Sequence, residues 1–150
     1  MFFHKLISTS LGIGYIGKGA GTAAAVACCI CWYFLQIHGF RAGPAIIFTT
    51  VVTLLGIWSA GKVEAIWGPD PNRVVIDEVA GMCISLLFLP VTLKYILLGL
   101  VLFRFFDIVK PLFIKKMENL PGGWGIMFDD ILAGIYANIL LQVVFRFNLL

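Results

Sequence analysis

Charge is what this chain has least of. Only 13% of its residues are Asp, Glu, Lys or Arg, about half the share found in a typical soluble domain. That scarcity excludes an ordinary water-soluble globule, whose surface needs far more charge. The net charge is only +3 and the basic residues are dispersed, so there is no basic stripe for nucleic acid. Histidine is nearly absent, with His4 and His38 alone, which leaves little material for a zinc centre. The four cysteines, Cys28, Cys29, Cys31 and Cys83, lie in apolar stretches. They match no paired C-x-x-C spacing and read as small buried hydrophobes rather than a disulfide framework. No G-x-x-x-x-G-K-[ST] loop is present, and no internal repeat or second domain is visible.

Apolar residues fill the gap. They make up 61% of the 150 residues, with a mean hydropathy of +1.00. The pattern predicts one all-α domain over residues 1–150, an integral membrane bundle of about five helices. Gly19–Phe40 and Ala42–Gly61 carry no Lys, Arg, Asp or Glu, and each is long enough to cross hydrocarbon about 30 Å thick. Val79–Leu93 contains Pro90, and Tyr95–Phe103 is short and flanked by Lys94 and Arg104. These two segments are expected either to cross as short helices or to form a re-entrant hairpin. Ile131–Phe145 supplies the last span. The first apolar segment is expected to be retained rather than cleaved, because Lys18 and several glycines interrupt the run before Cys28 and the apolar stretch continues past it.

With five spans, Lys5, Lys18, Lys62, Arg73, Arg104, Lys110, Lys115 and Lys116 fall on one side and Arg41, Lys94 and Arg146 on the other. The positive-inside rule assigns the first side to the cytoplasm.

Five of the eight acidic residues gather where apolar runs meet polar loops on that same side. They are Asp77 and Glu78, Asp107, and Asp129 and Asp130. Carboxylates beside hydrocarbon are costly and tend to be paired, metal-bound or functional. Asp77-Glu78 at a helix start also complements the helix dipole. Arg104, Asp107 and Lys110 are spaced for an ion-pair ladder, and equally for an acid on a metal with two cations on a phosphate. Asp129-Asp130 follows the glycine-rich Gly122–Gly125 and reads as an N-cap pair or as metal ligands. Together, three clusters at three segment ends suggest one shared site. All-oxygen donors suit Mg²⁺, with Mn²⁺ a second fit. A further glycine-rich stretch, Gly12–Thr22, opens the first span. Its Lys18 and Thr22 are candidate phosphate contacts at a helix start, where free amides favour anions. Tight helix packing accounts for the same glycines equally well.

Three motifs, Asp77-Glu78-Val79-Ala80-Gly81-Met82, the stretch from Phe103 to Pro111, and the stretch from Gly122 to Gly134, occur in an order that resembles the phosphatidylglycerophosphatase A family. The resemblance implies a Mg²⁺-dependent phosphatase of the bacterial inner membrane. Its substrate would be phosphatidylglycerophosphate and its product phosphatidylglycerol. Carried onto this chain, Asp77, Glu78, Asp107, Asp129 and Asp130 would be catalytic and metal-binding. Arg104, Lys110, Lys18 and Thr22 would contact substrate. Apolar surface near Phe105, Phe106 and Phe113 is expected to hold the lipid tails. Two other classes fit some features. A phospholipid phosphotransferase would show a longer D-x-x-D pattern, which is absent. A non-enzymatic membrane bundle would carry polar residues in mid-span, whereas the acids here collect at one end.

Overall fold

The computed structural model describes residues 1–150. Seven α-helices and one 3₁₀ turn follow in chain order: α1 (Phe2–Ser8), the 3₁₀ turn (Ile13–Ile16), α2 (Ala20–Ile37), α3 (Ala42–Trp67), α4 (Ile76–Leu86), α5 (Leu93–Val109), α6 (Ile114–Met117) and α7 (Gly123–Arg146). Three of them, α2, α3 and α7, are long and apolar enough to cross a membrane. At 1.5 Å per residue, α3 and α7 reach about 39 and 36 Å. Their outward residues, such as Ile47, Leu54 and Ile139, are exposed. In a membrane protein that is the lipid-facing surface.

The two intermediate segments fold as two helices, α4 and α5, joined by a short turn over residues 87–92. α4 has 11 residues, about 16 Å, too short to span. It ends at Leu86 rather than running on to Leu93, and the chain turns through Pro90 before α5 begins. A helix end buried inside an apolar bundle leaves carbonyls that water cannot reach. Here α7 satisfies them. The Asn138 amide donates to the Ser85 carbonyl at 3.0 Å and to the Leu87 carbonyl at 2.9 Å, and the Gln142 amide donates to Leu87 at 3.2 Å.

The first of these helices is the centre of the molecule. On one side of α4, Met82, Cys83 and Leu86 pack with Cys28 and Trp32 of α2, Phe103 of α5 and Ala133 and Ala137 of α7. On the other, Ile76 and Ala80 meet Ala60 and Val63 of α3 and Met127 of α7. Gly81 and Gly134 let the α4 and α7 backbones touch. A Cβ on Gly134 would lie 3.0 Å from the Gly81 carbonyl carbon, the small-residue crossing that helices use in lipid, where packing rather than hydrophobicity drives association. Cys28, Cys29 and Cys83 are buried free thiols and Cys31 is exposed.

Other boundaries differ from the sequence expectation too, and α5 runs over Leu93–Val109 rather than Tyr95–Phe103. α3 continues past Gly61 to Trp67, carrying Lys62 and Glu64. Charges at a helix end do not stop it, and the chain breaks only at Gly68-Pro69. α7 starts at Gly123, not Ile131. Its glycines serve close packing: a Cβ on Gly123 would lie 2.7 Å from the Gly61 nitrogen of α3. Asp129 and Asp130 therefore sit two turns inside the helix rather than at its start.

Candidate active site

Five chain segments converge at one end of the bundle around a polar cavity of about 590 Å³. They are the glycine-rich approach to α2, the loop after α3, the start of α4, the end of α5 and the second turn of α7. All five sequence-nominated carboxylates, Asp77, Glu78, Asp107, Asp129 and Asp130, line the cavity together with Arg104, Lys110 and Lys18. Thr22 does not. It is exposed on the outer face of α2.

The carboxylates divide by partner. Asp107 and Asp129 are each held by a cation. Arg104 Nη1 donates to Asp107 Oδ2 at 2.5 Å, one helical turn away on α5. Lys110 Nζ donates to Asp129 Oδ2 at 2.7 Å and to Glu118 Oε1 at 2.5 Å. Lys110 reaches both because it caps α5 in the left-handed region, φ 49°, uncommon for a side chain larger than glycine's. Burial works against its charge, but the hydrogen bonds it donates to Asp129 and Glu118 outweigh that and raise the Lys110 pKa.

Asp77, Glu78 and Asp130 have much less compensation. One oxygen from each lies within 4.8 Å of the others. Asp77 and Asp130 are 9% and 3% exposed. The nearest cation, Arg104, is 3.9 Å from Glu78 Oε1 and is already committed to Asp107. Glu78 Oε2 and Arg104 Nε are both buried without a hydrogen-bond partner, a state that costs about 1–3 kcal/mol per group. Burial, followed by repulsion from Glu78, pushes the Asp77 pKa well up. Burial also raises that of Glu78, against hydrogen bonding from Asp77. Three close carboxylates with an orphaned oxygen and no dedicated cation are what a hard divalent ion would complete, so these residues fit Mg²⁺. Gly21 faces the cluster. A Cβ there would collide with Glu78 Oε1, so glycine at that position lets the carboxylate lie where it does beside α2.

Four contributors escaped the sequence argument. Asp70, Asn72 and Arg73 line the cavity from the α3–α4 loop. Arg73 is braced by Tyr15 and Trp67, its guanidinium carbon 5.9 and 5.8 Å from their ring centres. Glu118 holds Lys110 from the far side. The turn signal Pro69-Asp70-Pro71-Asn72 was readable, but nothing in it pointed to the cavity.

A polar cavity with clustered carboxylates and phosphate-suited cations, at the end of an apolar helical bundle, defines a membrane enzyme acting on an anionic substrate. The family model described as phosphatidylglycerophosphatase A matches residues 6–145. A Bacteroides thetaiotaomicron protein that bears the provisional name phosphatidylinositol-3-phosphatase is 43% identical, over 95% of this chain and 93% of its own. Phosphatidylglycerophosphatase A of Haemophilus influenzae is 38% identical, over 93% and 86% respectively. The Escherichia coli protein of the same name is 30% identical, over 87% and 76%. No solved structure matches the chain. The chain belongs to the phosphatidylglycerophosphatase A family and is a phosphatase.

Proposed function

We propose that this protein hydrolyses the terminal phosphate of phosphatidylglycerophosphate with Mg²⁺, at the cytoplasmic face of a bacterial inner membrane. The observation that carries the reading is the uncompensated trio Asp77, Glu78 and Asp130 beside two anchored cations in one cavity.

Asp77, Glu78 and Asp130 would hold the ion, with Mn²⁺ a second fit for the same oxygens. When bound, it supplies Lewis-acid neutralisation of phosphate charge. Every other role belongs to the chain. Arg104 and Lys110 bind the phosphate oxygens and stabilise the charge that builds on them. Asp107 and Asp129 act through those cations as positioning residues, fixing where the guanidinium and ammonium point. That assignment departs from the expectation that all five acids ligate metal, because two of the five already have cationic partners. Lys18 adds a third positive charge from the glycine-rich approach. Glu78, whose Oε2 is unpartnered, takes the proton from the attacking water. A new P–O bond forms to that water oxygen, the P–O bond to the glycerol carbon's oxygen breaks, and the proton passes to the departing alkoxide. The products are a lipid alcohol and inorganic phosphate.

The family and two relatives favour phosphatidylglycerophosphate. The name of the Bacteroides relative favours phosphatidylinositol 3-phosphate as the second reading, and both are lipid phosphomonoesters. Purified protein in one detergent should be given each of these lipids, phosphatidic acid and glycerol 3-phosphate. The expected order places phosphatidylglycerophosphate first in kcat/KM. A preference for phosphatidylinositol 3-phosphate would transfer the headgroup to the second reading. Equal turnover of glycerol 3-phosphate would remove the lipid claim. Sidedness rests on the eight-to-three basic bias, and impermeant thiol labelling of a cysteine placed at Asn72 should fail in intact cells and succeed in inverted vesicles.

A further inference from the structure

Adjoining the polar cavity is a second one of a different kind. It has about 340 Å³, and 14 of its 15 lining residues are hydrophobic. Its wall includes Leu6 of α1, Ala27, Cys31 and Leu35 of α2, and Phe48 and Val52 of α3. The two cavities share their partition. Ile13, Ile76 and Val79 face the apolar one, and their chain neighbours Gly14, Asp77 and Glu78 face the polar one. The remaining lining residue is Ser10, whose Oγ is buried with no hydrogen-bond partner. Ser10 stands in the left-handed region, φ 47°, followed by Leu11 at 60° and Gly12 at 101°. This run of three folds the chain between α1 and the 3₁₀ turn back over the slot.

An apolar cavity that adjoins a phosphate site, with one residue of its wall carrying an unsatisfied hydroxyl, matches an esterified fatty chain. The hydrocarbon fills the slot, and the Ser10 hydroxyl, once turned toward it, can donate to the ester carbonyl. We propose that one acyl chain of the phospholipid substrate inserts between α2 and α3 under the N-terminal segment, with Ser10 donating to its ester carbonyl. This rests on the protein being a lipid phosphatase, and it moves the tail away from the surface near Phe105, Phe106 and Phe113 expected from the sequence. A tail passing from bilayer to slot exchanges one hydrocarbon medium for another, so the slot contributes little affinity. It acts by orientation: a tethered tail fixes the angle at which the phosphate enters the carboxylate cavity. Ser10 is a positioning residue, since it touches the linkage and not the reacting phosphorus.

The probe is phosphatidic acid carrying a diazirine at the end of one acyl chain, photolysed with the wild-type protein in nanodiscs. Adducts concentrated on Ala27, Cys31, Leu35, Phe48 and Val52 are expected. Adducts spread evenly over the exposed faces of α2, α3, α5 and α7 would overturn the proposal, since they describe ordinary boundary lipid. Capture does not depend on turnover, so it separates this claim from the headgroup assignment. In turnover, Ala27→Trp should lower kcat for a dioleoyl substrate at least tenfold more than for its dibutanoyl counterpart, and an equal loss for both counts against the slot. Ser10→Ala should erase the difference in turnover between ester-linked and ether-linked dioleoyl substrates, and an unaltered difference removes Ser10 from the assignment.

Discussion

Asp77→Asn should stabilise this protein in chelator while abolishing its turnover. The Asp77, Glu78 and Asp130 oxygens lie within 4.8 Å of one another, and two unit charges at that distance repel by about 3 kcal/mol at an effective dielectric of about 20. Proton uptake relieves part of this, because burial and Glu78 raise the Asp77 pKa. Neutralising the site should therefore return about 1–3 kcal/mol, less the one hydrogen bond Asp77 Oδ1 accepts from the Glu78 amide at 3.1 Å. For a chain of this size that is a rise of roughly 3–9 °C in Tm. The pH dependence has a definite sign. A carboxyl whose folded pKa is raised binds more protons folded than unfolded, so its burden on stability is absent below the ordinary value of 3.8 and grows as pH rises above it. Wild-type protein in chelator should lose stability as pH rises through that window, and Asp77→Asn should lose less. Added Mg²⁺ should reverse the ranking, stabilising wild type by about 2.7 kcal/mol at a hundredfold excess over Kd and the variant far less. Thermal unfolding in detergent at pH 5 and pH 8, with chelator or Mg²⁺, measures all four conditions. A variant less stable than wild type in chelator at pH 8, or a wild type indifferent to Mg²⁺, would show that the carboxylates hold the fold rather than an ion.

Gly21→Ala drives a methyl into Glu78 Oε1. The far end of a flexible side chain can move aside, so turnover should fall at least tenfold with little change in Tm, and a variant of normal activity would mean that the Glu78 position is not critical. Asn138→Leu strips both hydrogen bonds from the end of α4 and orphans the Ser85 carbonyl. A loss of about 1–2 kcal/mol is expected from thermal unfolding, and Asn138→Leu with Gln142→Leu should cost more because Leu87 then loses its second donor.

The sequence alone settled the class of this protein. Scarce charge and long apolar runs dictate a helical membrane bundle, because hydrocarbon admits no unpaired backbone. The ordered motifs around Asp77, Asp107 and Asp129 were enough to find the family. Pro90 and the brevity of the segments around it also made a short or re-entrant pair legible, though not that α4 stops at Leu86. That end depends on Asn138 and Gln142, about 50 residues away, which satisfy its carbonyls. The start of α7 was hidden for a similar reason: Gly122–Gly125 reads locally as a loop, and only contact with α3 makes it helix. The acids were visible one by one, but their division was not. Spacing exposed the Arg104–Asp107 contact on one helix turn. It could not expose Lys110 crossing to Asp129 and Glu118, or leaving Asp77, Glu78 and Asp130 without a dedicated cation. Charge compensation depends on distance in space, and a chain that brings five segments to one cavity sets those distances only when it folds.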